Sequence, residues 1–442
     1  MSFKIDKQTL DDLAIFGNNR TKSVYDIFNR TRTRGGAKIL EEMFLYPLSD
    51  ADQINERSDV IRYYRDIEAE FPFRGEIFDT MEFYLGNTDR RTQLMTQDNT
   101  LGRKFKNLVG TDTEYTQIHN GIVCCIELLN TLDAFLKNSK ADAGNKTIAE
   151  LTASLRGLLG NEKWSWYVSE KGKKKLGYEQ AVVYDRVLRF EERDKLMKIL
   201  YYVYLLDVYM AVANVAKERG FVFANAHPND KNTLVMKGMF HPFLTKPVGN
   251  TIAVDENSNV IFLTGANMAG KSTFMKSFGI TVFLAHVGFP VPAKEMEFSV
   301  QNGMFTTINL PDNLSMGYSH FYAEVLRVKK VAQQVRQTQH LIVVFDELFR
   351  GTNVKDAYDA TVAVTEAGIR NCTFIISTHI IEAGEVLKEK CDNINFVYLP
   401  TKMEGSKPVY TYTLAPGITD DRHGMMIVNN EHIIEIIKNG EA

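Results

Sequence analysis

Ten consecutive residues, Thr264 to Thr273 (TGANMAGKST), hold the groups with the clearest chemistry in this chain. Gly265 and Gly270 bracket four residues, and Lys271 and Ser272 follow, which is the G-x-x-x-x-G-K-[ST] spacing of a phosphate-binding loop. Backbone N–H groups of such a loop converge on phosphate oxygens at a helix N-terminus, where the helix dipole also favours negative charge. Gly265, Ala266, Asn267, Met268, Ala269, Gly270, Lys271, Ser272 and Thr273 are therefore candidate nucleotide-binding residues. Lys271 is expected on the β- and γ-phosphates and Ser272 on Mg²⁺.

Two further segments supply what hydrolysis of a bound nucleoside triphosphate requires. Leu341-Ile342-Val343-Val344-Phe345 is a continuous apolar run, as in a strand buried on both faces, and it ends in Asp346-Glu347. From that strand end Asp346 can support Mg²⁺ through water, and Glu347 can orient or deprotonate the attacking water. A second run, Thr373 to Ile376, ends in Ser377-Thr378-His379, which places His379 to touch the γ-phosphate. A hydrophobic strand ending in acid is common, and a lone His after a strand is usually just a satisfied polar group. In this order, after a phosphate loop, the segments read as the catalytic set Lys271, Glu347 and His379 of an ATPase core.

These groups need a sheet to hold them. Apolar runs at 259–263, 304–308, 341–345, 373–376 and 396–399 alternate with helical stretches at 271–286, 319–335 and 355–370. That alternation predicts a mostly parallel sheet with helices on its faces. Val409 to Leu414 alternates with period two and predicts one more strand. Upstream the pattern changes. No proline occurs between Pro72 and Pro228, and apolar residues recur at helical spacing: Ile118, Ile122, Cys125, Ile126, Leu129, and later Leu196, Ile199, Leu200, Val203, Leu206, Met210. Long packed helices are expected there, interrupted near Gly157–Gly160 and Gly172–Gly177. The stretch from Ala224 to Gly249, rich in Pro, Asn, His and Gly, predicts a boundary between domains 1–223 and 224–442.

The details of these motifs resemble those of the MutS family of DNA mismatch repair ATPases. TGANMAGKST is similar to that family's phosphate loop, Asp346 to Thr352 (DELFRGT) to its Asp-Glu-x-x-Arg-Gly-Thr segment, and Ser377-Thr378-His379 to its Thr-His element. Asp312 to Phe321 (DNLSMGYSHF), followed by Glu324, looks like the family's version of the ABC signature. Phe240-His241-Pro242 matches the His-Pro before the nucleotide domain, Asn250 the residue near the adenine, and Thr33-Arg34-Gly35-Gly36-Ala37 through Pro47-Leu48, Ile54 and Arg57 the start of the core domain. The resemblance implies an α/β P-loop NTPase domain of the ABC type preceded by an all-α core and lever domain of long helices. It implies ATP and Mg²⁺ as ligands, His241 and Asn250 at the nucleotide, and a homodimer in which Ser315, Gly317 and Ser319 of one copy cap the nucleotide of the other. It also implies DNA binding. Met316, Ala266, Ala269 and the segment Arg422-His423-Gly424-Met425 depart from the usual family residues. The resemblance begins at the core domain, so the expectation is a pared-down relative with neither mismatch-reading domain nor connector, and with the clamp reduced to a small tip at most.

Composition bounds the remaining possibilities. At 442 residues and 44% hydrophobic content the chain fits two to three folded units with sizeable cores. No uninterrupted apolar segment of membrane-spanning length and no leader pattern are read, and the four cysteines have neither zinc nor disulfide spacing. A cytoplasmic protein with reduced thiols is expected. A net charge of −3 gives no global pull toward nucleic acid, so DNA contact requires a local patch. The clearest is Lys171, Lys173, Lys174 and Lys175, beside the aromatic cluster Trp164-Ser165-Trp166-Tyr167. The plain alternative is a solvated lysine loop over a small core. The competing function is a nucleotide-switched scaffold for a protein or a structured RNA.

Overall fold

Long helices fill the first half of the chain and strands the second, as the change in hydrophobic period requires. A computed structural model describes residues 3–17, 22–96, 113–138, 145–230, 232–309, 320–368, 371–404, 407–419, 432, 436 and 437. The first elements are β1 (Lys4–Ile5), α1 (Lys7–Asp12), α2 (Val24–Phe28), α3 (Arg34–Leu45), α4 (Ala51–Asp66), α5 (Glu76–Gly86), α6 (Thr113–Asn138), α7 (Lys146–Leu159), α8 (Tyr178–Asp185) and α9 (Arg193–Arg219). Three strands follow, β2 (Asn225–His227), β3 (Leu234–Met239) and β4 (Asn250–Val254), then β5 (Val260–Gly265) and α10 (Lys271–Val287). Next come β6 (Glu295–Ser299), β7 (Gly303–Thr307), α11 (His320–Gln337), β8 (Leu341–Asp346) and α12 (Val354–Glu366). The last are β9 (Thr373–Ser377), α13 (Ile381–Lys390), β10 (Ile394–Leu399), β11 (Thr401–Glu404), β12 (Lys407–Tyr410) and β13 (Ala415–Pro416).

The contacts divide the chain into two compact units, residues 1–28, 43–58 and 215–442 in one and 29–42 and 59–214 in the other. Two N-terminal segments thus group with the strand-rich unit. The stretch 224–249 carries β2 and β3 and is not a bare linker.

The helical unit is held by the apolar stripes expected of it. Ile118, Ile122, Cys125, Ile126 and Leu129 of α6 and Leu196, Ile199, Leu200, Val203, Leu206 and Met210 of α9 are all buried. The Thr-Arg-Gly-Gly stretch owes its residues to one close crossing. A Cβ at Gly35 would stand 2.2 Å from the Tyr204 ring of α9, so only glycine lets α3 approach it. Beside it the buried Asp207 carboxylate accepts from Thr33 N at 2.8 Å and Thr33 Oγ1 at 2.6 Å, capping the start of α3. A second buried polar knot joins α8 to the loop after α5. Arg189 donates to both Asp185 oxygens at 2.6 and 2.7 Å and to Thr92 O at 3.0 Å, while Asp185 accepts from Tyr84 Oη at 3.0 Å. A buried ion pair persists only with such full satisfaction.

By length and composition α9 passes as a membrane-spanning helix, but Lys198 and Asp207 interrupt its apolar run, as the sequence reading has it, and 72% of the apolar window is buried, the pattern of a core helix.

The large sheet of the other unit runs β1-β7-β8-β9-β5-β10-β13. All neighbours are parallel except β10 and β13. β5 and β9 are buried throughout, which explains their unbroken apolar runs. A four-stranded sheet, β2-β6-β3-β4, and the hairpin β11–β12 complete the unit. The strand expected at 409–414 ends at Tyr410; beyond it Tyr412 turns the chain at φ 55°.

Candidate functional site

The carboxyl ends of β5, β9 and β8, three neighbours in the parallel sheet, bring the predicted groups together. β5 ends at Gly265, and the loop 266–270 turns into α10 with Gly270 at φ 103°, a left-handed conformation that glycine adopts without strain. Met268 at the loop tip also has positive φ, 72°, and is 78% exposed, while Ala269 is buried. Behind the loop Lys271, 5% exposed, donates to Gly265 O at 2.9 Å and Ala266 O at 3.4 Å and lies 3.5 Å from Glu347 Oε1.

Asp346 closes β8 and takes hydroxyls from both flanks. Ser272 Oγ donates to Oδ2 at 2.7 Å, and Ser377 Oγ at the end of β9 donates to Oδ1. Burial lifts the Asp346 carboxyl above its ordinary range; the two serine hydroxyls and Lys271 work against that, and the adjacent Glu347 charge adds to it. Glu347 sits at φ 48° and Phe349 at φ 62°, both unusual for residues with a Cβ. Such strain costs on the order of 1–3 kcal/mol per residue and persists where surrounding contacts over-determine the backbone. Here Glu347 N donates to Ser377 O at 3.0 Å, and the side chain faces Lys271 and Arg350.

A cavity of about 750 Å³ opens over the loop. The whole segment Ala266–Thr273 lines it together with His241, Asn250 and Glu347, all predicted, and Leu244, Val248, Arg350, Leu399 and Tyr412, which were not. Burial, and then the Lys276 charge, hold the His241 imidazole below its ordinary pKa, so it faces the cavity as a neutral ring near pH 7. Asn250 lines the cavity, but its amide is occupied: Nδ2 donates to Tyr412 O at 2.9 Å and Oδ1 accepts from Leu414 N at 2.8 Å. Its work in this structure is to hold Tyr412 against the loop.

Other predicted residues fall elsewhere. His379 is exposed beyond the end of β9 and does not line the cavity. Ser315, Gly317 and Ser319 lie outside the described residues. The lysines belong to the helical unit. Lys171, Lys173, Lys174 and Lys175 are all exposed, and Lys173 pairs at 3.0 Å with Glu170, whose side chain is 4% exposed. Lys171, Lys173 and Lys174 line a groove of about 390 Å³ on α6. Trp166 stacks on Tyr184 at 3.6 Å, anchoring this loop internally, as the plain reading of the aromatic cluster has it.

Among the described residues no cluster of three His, Cys, Asp or Glu side chains could hold a metal ion. Ser272 and Asp346 nevertheless fit Mg²⁺, which is commonly bound through one or two hard oxygen ligands with phosphates and waters supplying the rest.

Comparison with known proteins accords with this arrangement. The family model MutS domain III matches residues 8–213, and MutS domain V matches residues 261–441. The chain is 31% identical over 242 residues to the DNA mismatch repair protein MutS of Fusobacterium nucleatum, an alignment covering 53% of this chain and 26% of that protein. It is 23% identical over 524 residues to the DNA mismatch repair protein MutS of Petrotoga mobilis, covering 96% of this chain and 62% of the relative. It is also similar to MutS protein homolog 4 of Mus musculus, 28% identical over 245 residues, covering 53% and 25%. The chain thus spans less than two thirds of the length of each of these relatives. With one family model on the helical half, another on the half that carries the phosphate loop, and one relative of the same name aligned along 96% of it, the chain belongs to the MutS family.

Proposed function

We propose that the chain is an ATP-binding and ATP-hydrolysing, DNA-binding protein that couples closure of a homodimer to its grip on DNA. Its strand-rich unit would be a P-loop NTPase of the ABC type, and 224–442 and 1–223 would be the functional domains, working in the cytoplasm. The observation that carries this is the convergence of Lys271, Ser272, Asp346 and Glu347 at adjacent strand ends, with Lys271 3.5 Å from Glu347 and Ser272 2.7 Å from Asp346.

Lys271 carries three N–H donors, and phosphate oxygens compete for them with the Gly265 and Ala266 carbonyls and with Glu347. A charged phosphate outcompetes the two neutral carbonyls, since charge-assisted bonds are roughly twice as strong as neutral ones, and it would draw the lysine from the single Glu347 carboxylate by offering more charge. Glu347, released from the lysine, accepts a proton from the attacking water as its oxygen bonds to the γ-phosphorus and the bond to the β-γ bridging oxygen breaks. Ser272 and Asp346 would hold Mg²⁺, which neutralises charge on the phosphates when bound. The neutral His241, Leu244, Val248 and Tyr412 offer an apolar wall for a base. Ser315, Gly317 and Ser319 would cap the nucleotide from the second copy. His379, exposed just beyond the end of β9, would sense the γ-phosphate.

The test is ATP hydrolysis measured alone and with duplex, mismatched and branched DNA at two salt concentrations. Stimulation by one DNA form that weakens with salt is the expected result. Hydrolysis indifferent to every DNA would favour the scaffold for a protein or RNA partner. No hydrolysis under any condition would end the ATPase reading.

A further inference from the structure

β9 is buried along its whole length. Phe374, Ile375 and Ile376 suit that place, but Ser377, 0% exposed, brings a hydroxyl into it. A buried hydroxyl needs a hydrogen-bond partner, whereas an alanine would fill the position without one. The topology supplies the partner. β9 lies between β5, which leads into the phosphate loop, and β8, which ends in the two acids. The strand register sets Ser377 opposite Leu263 on one side and opposite Asp346 on the other. Ser377 Oγ donates to Asp346 Oδ1, and Ser377 O accepts from Glu347 N at 3.0 Å. One residue of the neighbouring strand thus holds both acids, the first through its side chain and the second through its backbone.

The two acids need that hold for different reasons. The last torsion of an aspartate is broad and roughly two-fold, so the carboxylate is not oriented by its own rotamer. Asp346 is oriented from outside: Ser272 Oγ of α10 donates to Oδ2 at 2.7 Å, and Ser377 Oγ donates to Oδ1. With either donor gone the group is free to turn about the remaining bond, and a buried oxygen loses its partner. The nearby Lys271 and Glu347 charges act on the carboxylate with opposite signs and without the directionality of a hydrogen bond. Glu347 stands at φ 48°, and its N–H bond to Ser377 O helps to keep that backbone in place.

We propose that Ser377 is a positioning residue of the nucleotide site, whose hydroxyl fixes the plane of the Asp346 carboxylate so that Oδ2 stays turned to Ser272 and the pair is ready for Mg²⁺. Ser377 touches neither metal nor nucleotide; it acts through Asp346. The inference rests on the ATP and Mg²⁺ reading above. Groups that hydrogen-bond a metal's carboxylate ligand typically matter about ten- to hundred-fold in metal affinity or activity. The strand itself does not need the hydroxyl. Ser377→Ala keeps the backbone pairing with both neighbours and the Glu347 N–H bond, and deletes only the donor to Asp346.

The experiment uses the full chain as parent, Ser377→Ala, and Ser377→Cys, which keeps the volume but offers a weaker donor. A fluorescent, non-hydrolysable ATP analogue is bound at equilibrium without metal and across a Mg²⁺ titration, and ATP hydrolysis is followed in parallel. Ser377→Ala should bind the analogue without metal within about two-fold of the parent, need about ten-fold more Mg²⁺ for the half-maximal gain in affinity, and lose about ten-fold or more in kcat. Ser377→Cys should fall between. In an Asp346→Ala background, Ser377→Ala should raise the Mg²⁺ requirement no further, because its route is already cut. A parent-like Mg²⁺ requirement in Ser377→Ala, or in Ser377→Cys should the alanine variant fail to fold, overturns the proposal. So does an equal loss of metal-free affinity, which assigns Ser377 to packing alone, and so do losses that add in full to those of Asp346→Ala. A parent that binds the analogue no more tightly with Mg²⁺ fails the underlying reading, and this inference falls with it; a Mg²⁺-dependent parent beside a parent-like Ser377→Ala fails this inference alone.

Discussion

Acidification should loosen the strand-rich unit through one buried imidazole. His286 stands near the end of α10, fully buried, with its ring 4.3 Å from Phe3 and 5.2 Å from Phe298. Its two nitrogens have opposite duties. Nδ1 lies 2.8 Å from Leu48 O and must donate, whereas Nε2 accepts from Gln301 N at 3.3 Å. The neutral Nδ1–H tautomer satisfies both, and a second proton would face an N–H. Burial accordingly lowers the pKa from 6.5 to about 4, against the pull of the Leu48 carbonyl. The unfolded chain binds this proton below 6.5 and the folded one does not until about 4. The stabilisation is thus whole above 6.5 and drains away as pH falls through that window. A gap of about 2.5 in pKa corresponds to about 3 kcal/mol, or about 6 °C in Tm for a unit of this size. Thermal melts of the parent and of His286→Gln between about pH 7 and about pH 4 should show the parent losing the additional amount. Gln can donate to Leu48 and accept from Gln301 but does not titrate. Equal losses in the two proteins would refute the reasoning.

Glu347→Gln should bind ATP at least as well as the parent and hydrolyse it about 10²- to 10⁴-fold more slowly, because an amide cannot take the water's proton; single-turnover rates with parallel binding curves check it. Gly35→Ala should lower Tm even though alanine favours helices, since a Cβ 2.2 Å from the Tyr204 ring forces overpacking costing about 1–3 kcal/mol. Lys174→Glu combined with Lys175→Glu should weaken DNA binding and flatten its salt dependence by up to about two phosphate contacts, and an unchanged slope would remove the loop from the DNA surface.

The phosphate loop was legible because everything it needs is contiguous: an apolar strand, two glycines at fixed spacing, then Lys271 and Ser272 opening a helix. Asp346-Glu347 was legible for the same reason, a fully apolar strand ending in acid. The helical half declared itself through Ile118, Ile122, Cys125, Leu196, Ile199 and Val203, whose spacing already implied the faces now found buried. Local chemistry was less informative where partners are distant. Tyr412 reaches the cavity only because Asn250, far earlier in the chain, clamps Tyr412 O and Leu414 N, and no spacing rule connects them. The same holds for the N-terminal segment: a two-residue strand carries no periodic signal, and nothing in Lys4–Asp12 points to Arg327 or Thr306.

Burial was the quantity least available from the sequence, and it decides how the charged residues are used. Glu170 and Lys173 are three apart, an ordinary spacing for a surface pair, yet the Glu170 side chain is 4% exposed while Lys173 is 51% exposed. The burial falls on the acid, and the lysine keeps about half its surface in solvent, where an ion pair is worth little. The α9 helix makes the complementary point. Asp207 sits within an apolar helix of membrane-spanning length, and its carboxylate faces the backbone N–H groups at the start of α3. Burial raises that carboxyl's pKa, and only the Arg32 and Thr33 donors offset it. Asp207 is therefore tolerable only once α3 has docked. The Thr-Arg-Gly-Gly stretch at 33–36 then reads as the complement of one buried acid and one tyrosine ring, a packing reason for residues that also carried the family resemblance.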